Sequence, residues 1–232
     1  GLVISVVFVI FLVSKMPQSK AEGEMPKIGE TFAALGKNSN YTLGVLAQVL
    51  YVGGQIMCWT YIYQYAEGIG MDSVTAGYYQ MAAFILFTVG RAIGTYLLRF
   101  ISSGKLLMYF AVLAMVFALG TIFIQGIVGL YCLVGISFFM SLMFPTIYGI
   151  ALGSLSEEQS KVGSAGLVMA IVGGALMPKL QGIIIDTGGN GVADTSIMGV
   201  SEVNFSFILP LLCFAYIASY GFTVFKKYES IN

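Results

Sequence analysis

The sequence predicts an all-α integral membrane protein with six complete spans, and three observations predict it. Only 9% of the 232 residues are charged and 58% are hydrophobic, whereas a soluble domain averages roughly 25% charged. The 11 basic and 11 acidic residues lie mostly between long uncharged stretches. The loop cations fall on alternate loops. This composition excludes a soluble enzyme and a disordered chain, and a net charge of zero leaves no basic excess for nucleic acid. There is no His, which removes the commonest general base and metal ligand. Cys58, Cys132 and Cys213 each sit in an apolar run and form no C-x-x-C pair. Neither a disulfide framework nor a metal site is expected.

A bilayer core of ~30 Å needs about 20 helical residues. Residues 1–14 are apolar but short, and read as the end of a preceding transmembrane helix, in a chain that is part of something longer. Residues 15–40 carry mixed charge with Pro17 and Pro26, and read as a cytoplasmic linker between two bundles. A short surface helix is expected near 27–36. No charge occurs from Tyr41 to Ala66, giving a first span at about 41–66. The second, about 75–99, contains Arg91. Leu106 to Ser156 is uncharged and holds two spans, about 105–124 and 128–152. The fifth, about 162–185, contains Lys179, and the sixth, about 203–225, has no charge. Residues 226–232 form a tail.

Orientation comes from the loop cations. Lys15, Lys20, Lys27, Lys37, Arg99, Lys105, Lys161, Lys226 and Lys227 all fall on one side. The other side has Glu67, Asp72, Asp186, Asp194 and Glu202 and no Lys or Arg. The cation-bearing side is expected to be cytoplasmic, with the spans in a bacterial-type inner membrane. No carboxylate is expected inside a span. Six helices after a long cytoplasmic linker fit the second half of a twelve-helix transporter.

The helices are rich in small residues and breaks. Gly90-x-x-x-Gly94 and Gly149-x-x-x-Gly153 suit close helix approach. Gly53-Gly54, Gly173-Gly174, Pro145, Pro178 and Pro210 read as mid-helix interruptions, tolerated where backbone lines a cavity or moves. Ordinary tight packing is the competing reading.

The first span carries the main candidate site. Gln48, Gln55 and Trp59 are spaced i, i+7, i+11, within about 40° on one helical face, flanked by Tyr51, Val52 and Tyr63. Amides beside an indole suit a sugar, whose hydroxyls meet the amides and whose C–H face meets the ring. The alternative puts Trp59 and Tyr63 in an interfacial aromatic belt and the glutamines in interhelical bonds. In the fourth span Pro145 frees a carbonyl, and Phe144 or Tyr148 can face a cavity or pack. Tyr78, Tyr79 and Gln80 read as interfacial. Arg91 lies ~12 Å before Arg99. It is expected to pair with helix-end carbonyls or with Glu157 or Glu158, holding the cytoplasmic face shut. Lys179 reads as snorkelling towards Asp186, with a substrate or ion contact as the alternative.

Four blocks then resemble one family: LAQVLYVGGQIMCWTY (46–61), GRAIGTYLLRF (90–100), FMSLMFPTIY (139–148) and GSAGLVMAIVGGALMP (163–178). They look like the C-terminal half of the fucose:proton symporter family of the major facilitator superfamily, which also includes bacterial glucose/galactose transporters. The resemblance implies two six-helix bundles rocking around a central sugar site, built from three-helix inverted repeats. Ala76-Gly77 and Ala165-Gly166 are the trace of such a repeat. It implies that Trp59 faces the sugar cavity, that Gln48 and Gln55 match the block's glutamines, and that the aromatic at Phe144 faces the cavity too. Fucose transporters of the family can carry Tyr there, so Phe144 departs from that pattern. Tyr51 and Tyr148 complete the expected lining. It also implies a proton as coupling ion, with its carboxylates in the first six helices, outside this chain. The partners expected are a monosaccharide, the lipid bilayer and that N-terminal bundle, with no cofactor and no enzymatic activity. The alternatives are a glucose/galactose or other monosaccharide carrier, an efflux carrier for apolar compounds, and a non-transporting membrane scaffold or accessory subunit.

Overall fold

The computed structural model of the chain describes residues 28–189 and 195–229. The readings at 1–14, in the first part of the 15–40 linker, at Asp194 and at the last tail residues lie outside them. Helix α1 (Ile28–Lys37) is amphipathic and packs on the bundle through Leu35, which is buried with Tyr41, Ala151 and Leu167. Asn38 ends it and begins α2 (Ser39–Thr60), its side chain accepting from Asn40 N at 3.1 Å and Tyr41 N at 3.3 Å. Such caps satisfy amides that the first helical turn leaves free.

The first apolar stretch is two helices rather than one. Between α2 and α3 (Ile62–Gly68) the backbone turns at Tyr61, whose hydroxyl donates to the Pro178 carbonyl at 2.7 Å. The second span is α4 (Ser73–Leu97), capped by Asp72, and the third is α5 (Ser103–Phe123). The fourth is α6 (Ile127–Met140) and α7 (Met143–Leu152), separated at Ser141–Leu142. The fifth starts earlier than the charge map suggests, because Ser156 and Gln159 form a capping box. It runs as α8 (Glu157–Met169), a 3-10 turn (Ala170–Val172) and α9 (Gly173–Ile185). A two-residue hairpin, β1 (Ser196–Ile197) and β2 (Val200–Ser201), precedes α10 (Glu202–Ser206) and α11 (Ile208–Glu229). Among the described residues, six apolar stretches are long enough to cross a bilayer, and the chain is a multi-pass membrane protein.

Helix α2 is central: it packs on α9, α11 and α7, while α5 packs on α11 and α6, and α4 on α6. Half of the α2 apolar window is buried, but only 17% of the α4 window and 22% of the fifth span. Those two spans are the bundle's edges, with broad apolar faces left for lipid or a second bundle.

Two of the small-residue positions prove to be contact points. Gly173 lies against the Val49 carbonyl, where a Cβ would collide. A Cβ on Gly90 would collide with the Phe138 carbonyl and lie 2.8 Å from Ser141 Oγ, so α4 rests on the fourth-span break. Gly149-x-x-x-Gly153 has no such role: nothing lies within 4 Å of a Cβ at Gly149. Pro210 also departs from expectation. It sits in the first turn of α11, where its absent N–H breaks no mid-helix bond; the interruption is at Phe207.

The end of the bundle farthest from α1 is held by a polar cluster. Asn204 Nδ2 donates to Tyr65 Oη at 3.1 Å and to the Thr121 carbonyl at 3.0 Å. Its Oδ1 accepts from Ser201 Oγ at 2.7 Å, and Tyr65 Oη donates to the Ile124 carbonyl at 3.2 Å. Nearby in sequence, Gln181 Nε2 donates to Ser206 Oγ at 2.9 Å. Glu202 belongs to this end and is fully buried. That corrects the reading of Glu202 as a loop carboxylate: the last apolar segment begins at Glu202 itself.

Candidate functional site

The candidate residues converge on the break in the fourth span. Proline has no N–H, so Pro145 offers nothing to the carbonyl of Ser141 four residues earlier. That carbonyl accepts instead from Arg91 Nε at 3.1 Å. The neighbouring carbonyl, Met140, accepts from Tyr51 Oη at 3.0 Å. Ser141 Oγ donates back to the Phe138 carbonyl at 2.7 Å. The helix then resumes, with Thr146 N and Oγ1 both donating to Leu142 O, at 3.2 and 2.8 Å.

Just beyond the break lies an aromatic row. The Tyr51 ring meets Phe144 edge-on, with centroids 6.0 Å apart, and Phe144 is stacked with Tyr148 at 6.4 Å. One turn before Tyr51 on the same helix, Gln48 is fully buried. Neither its Oε1 nor its Nε2 has a hydrogen-bond partner among the described residues. A buried amide left unpaired costs about 1–3 kcal/mol, and native interiors rarely retain one. Both atoms are closed off within this bundle, so a hydroxylated ligand would satisfy them only where α2 and its neighbours part to admit it.

Trp59 is placed differently from the expected stripe. Its ring meets Phe84 and Phe87 edge-on at 4.9 and 5.1 Å, and Nε1 donates to Ser137 Oγ at 3.2 Å. It is thus half-buried and held against α4 and α6. Tyr63 is exposed. Gln55 is half-buried between the two groups. The helical face read as one stripe therefore serves two neighbourhoods: Gln48 with Tyr51, Phe144 and Tyr148, and Trp59 with Phe84, Phe87 and Ser137. Arg91 joins them, its guanidinium 4.8 Å from the Phe87 ring centroid while Nε holds the Ser141 carbonyl. Of the two expected partners for Arg91, the carbonyl is the one observed, but within the fourth span and not at a cytoplasmic helix end. Glu157 and Glu158 are exposed. Lys179 is exposed on α9.

Phe84, Phe87 and Ser137 were not among the residues singled out in the sequence. Their signal was periodic. Phe84, Phe87 and Arg91 are spaced i, i+3, i+7, and Ser137, Ser141, Phe144 and Tyr148 are spaced i, i+4, i+7, i+11, each set on one helical face. No cluster of potential metal ligands occurs among the described residues.

Comparison with known proteins gives a consistent picture. No family model matches the chain. The L-fucose-proton symporter of Haemophilus influenzae is 50% identical over 228 residues, covering 97% of this chain and 51% of the relative. The L-fucose-proton symporter of Escherichia coli is 30% identical, covering 99% of this chain and 50% of the relative. A putative glucose/galactose transporter of Helicobacter pylori is 31% identical over 95% of the chain and 52% of the relative. The chain thus spans about half the length of the curated relatives it matches. Among solved structures, the crystal structure of the major facilitator superfamily transporter FucP in the outward conformation superposes with a TM-score of 0.80. That match has 29% identity and covers 96% of this chain and 52% of FucP. The chain has the fold of the C-terminal six-helix bundle of a major facilitator superfamily transporter, and its sequence places it with the fucose–proton symporter family.

Proposed function

We propose that the chain forms one wall of the sugar pathway in a proton-coupled monosaccharide symporter, and that Gln48, Tyr51, Gln55, Trp59, Phe144 and Tyr148 line it. The observation that carries this reading is the half-buried pair Phe144 and Tyr148, stacked just past the fourth-span break and met edge-on by Tyr51. Gln48, one turn before Tyr51, adds a buried carboxamide without a partner among the described residues. The names of the relatives support sugar–proton symport. The opposite wall is a second six-helix bundle, which the lightly buried edges at α4 and the fifth span suit. Alternating access needs two such walls.

We assign the group that takes up the coupling proton to the facing bundle, because the proposed lining residues are Gln, Tyr, Trp and Phe, and Glu202, the one carboxylate buried among the described residues, lies with the Asn204 cluster at the far end of this bundle. Burial in the facing bundle raises a carboxyl pKa towards the working range. The membrane is assigned as a bacterial inner membrane with α1 and the end of α11 cytoplasmic, because the loop cations gather there. A second reading, glucose or galactose as cargo, is favoured by the glucose/galactose transporters among the relatives.

The test uses the complete two-bundle transporter in liposomes, with internal pH followed after addition of fucose, galactose or glucose. Saturable acidification with one of them is expected. In a form with Trp59 as its single indole, that sugar changes the emission, and Trp59→Ala weakens binding more than Trp59→Phe. Proton movement indifferent to all three sugars would overturn the reading.

A further inference from the structure

We propose that Tyr51 and Arg91 are positioning residues that hold the fourth span broken at Met140–Ser141, and so set Phe144 and Tyr148 at the angle the sugar meets. This rests on the proposed function, in which those two rings line the pathway. The geometry has three parts. First, the break is built into the sequence. Pro145 denies the Ser141 carbonyl its intrahelical donor, and an unsatisfied carbonyl inside a bilayer is costly.

Second, the replacement donors come from other spans. Tyr51 on α2 holds the Met140 carbonyl at 3.0 Å and Arg91 on α4 holds the Ser141 carbonyl at 3.1 Å. The two clamps approach adjacent peptide units from different helices, which fixes both the bend at the break and the rotation of α7. Third, α7 opens with the candidate site. Phe144 lies three residues past the second clamped carbonyl, in contact with the Tyr51 ring and stacked on Tyr148.

Arg91 carries the same link in the other direction, because its guanidinium lies over Phe87 and Phe87 meets Trp59. The Gly90 seat leaves α4 close enough for this reach, with room for no side chain there. Arg91 therefore acts as a backbone clamp. Its positive charge is secondary to the direction of its Nε–H.

A double-mutant cycle between Arg91 and Pro145 separates a clamp from a general structural charge, because Pro145→Ala restores an N–H that can take the Ser141 carbonyl. Two quantities are measured on the complete transporter: calorimetric binding of fucose, galactose and glucose, and amide hydrogen exchange across residues 140–146. Arg91→Met is expected to weaken binding of the cognate sugar about tenfold, the scale of one hydrogen bond to a charged group, and to speed exchange across 140–146. In the Pro145→Ala background the same change is expected to weaken binding less than twofold and to leave exchange slow. Tyr51→Phe keeps the ring against Phe144 and loses only the clamp, so a roughly threefold loss is expected.

Equal effects of Arg91→Met in both backgrounds would overturn the proposal, as would unchanged exchange across 140–146. If Arg91→Met does not fold, Arg91→Gln completes the cycle. If the parent transporter binds none of the three sugars, the functional reading fails, while the exchange half of the cycle still decides whether Tyr51 and Arg91 clamp the break.

Discussion

Asn204 and Gln48 are both carboxamides buried in the same bundle, and their surroundings are opposite. Asn204 uses both Nδ2 donors, on Tyr65 Oη and the Thr121 carbonyl, and its Oδ1 takes the Ser201 hydroxyl. Gln48 lies on the central helix α2, yet its two amide atoms have no partner among the described residues. The first arrangement ties four segments together and stabilises them. The second leaves a desolvated polar group unpaired at a cost to stability; under the proposed function that group is held ready for a sugar hydroxyl, since a site built to hydrogen-bond a hydroxyl rejects analogues lacking it.

The sharpest way to break this contrast is Gln48→Leu. It should weaken binding of the cognate sugar by about 10–100-fold while the thermal midpoint in detergent stays level or rises, because an unpaired buried amide has been replaced by an apolar group. A lowered midpoint with unchanged binding would make Gln48 a structural residue like Asn204. The mirror experiment is Asn204→Leu, which strands Tyr65 Oη and the Thr121 carbonyl. It should lower stability by about 1–3 kcal/mol, read by thermal or denaturant unfolding, and leave the affinity of the folded fraction within twofold.

The smallest effect concerns a polar group that is satisfied but fully exposed. Asp72 accepts from Val74 N, Thr75 N and Thr75 Oγ1 at 3.0, 3.2 and 2.6 Å. The Thr75 hydroxyl, aided by the two amides, holds its carboxyl below the usual carboxylate range. A depressed folded-state pKa stabilises above the unfolded pKa, and the benefit disappears as pH falls through the folded value. Amide exchange at Val74 and Thr75 should therefore be protected at neutral pH and lose that excess protection only at strongly acidic pH. In Asp72→Asn the protection should be independent of pH.

What the sequence made legible was set by long-range composition. Uncharged windows locate the six spans because a bilayer core tolerates few charges, and the spacing of Gln48, Gln55 and Trp59 puts them on one face of the first span. What it did not show was set by local chemistry meeting distant partners. Nothing near Tyr61 announces a helix break; its partner is the Pro178 carbonyl, contributed by another span. Glu202 reads as one more loop carboxylate until Ser201 is seen to cap a short helix that carries it inside. The division of the first-span stripe into two neighbourhoods could not be read from α2 alone, since it depends on Phe87 and Ser137 reaching Trp59 from two other helices.

Arg91 also has a consequence for how the chain is made. Its span has a mean hydropathy of 1.2, the lowest of the six apolar stretches, and an arginine within a span opposes insertion, less so the nearer it lies to the helix end. The carbonyl that receives Arg91 lies 50 residues further along the chain. At about 5–20 residues per second, a ribosome makes that acceptor roughly 3–10 s after Arg91 has emerged. During that interval the second span holds its place in the bilayer without its partner. The fourth span, broken at Ser141, brings the acceptor that Arg91 lacks until then: the defect in one helix is the docking point of another.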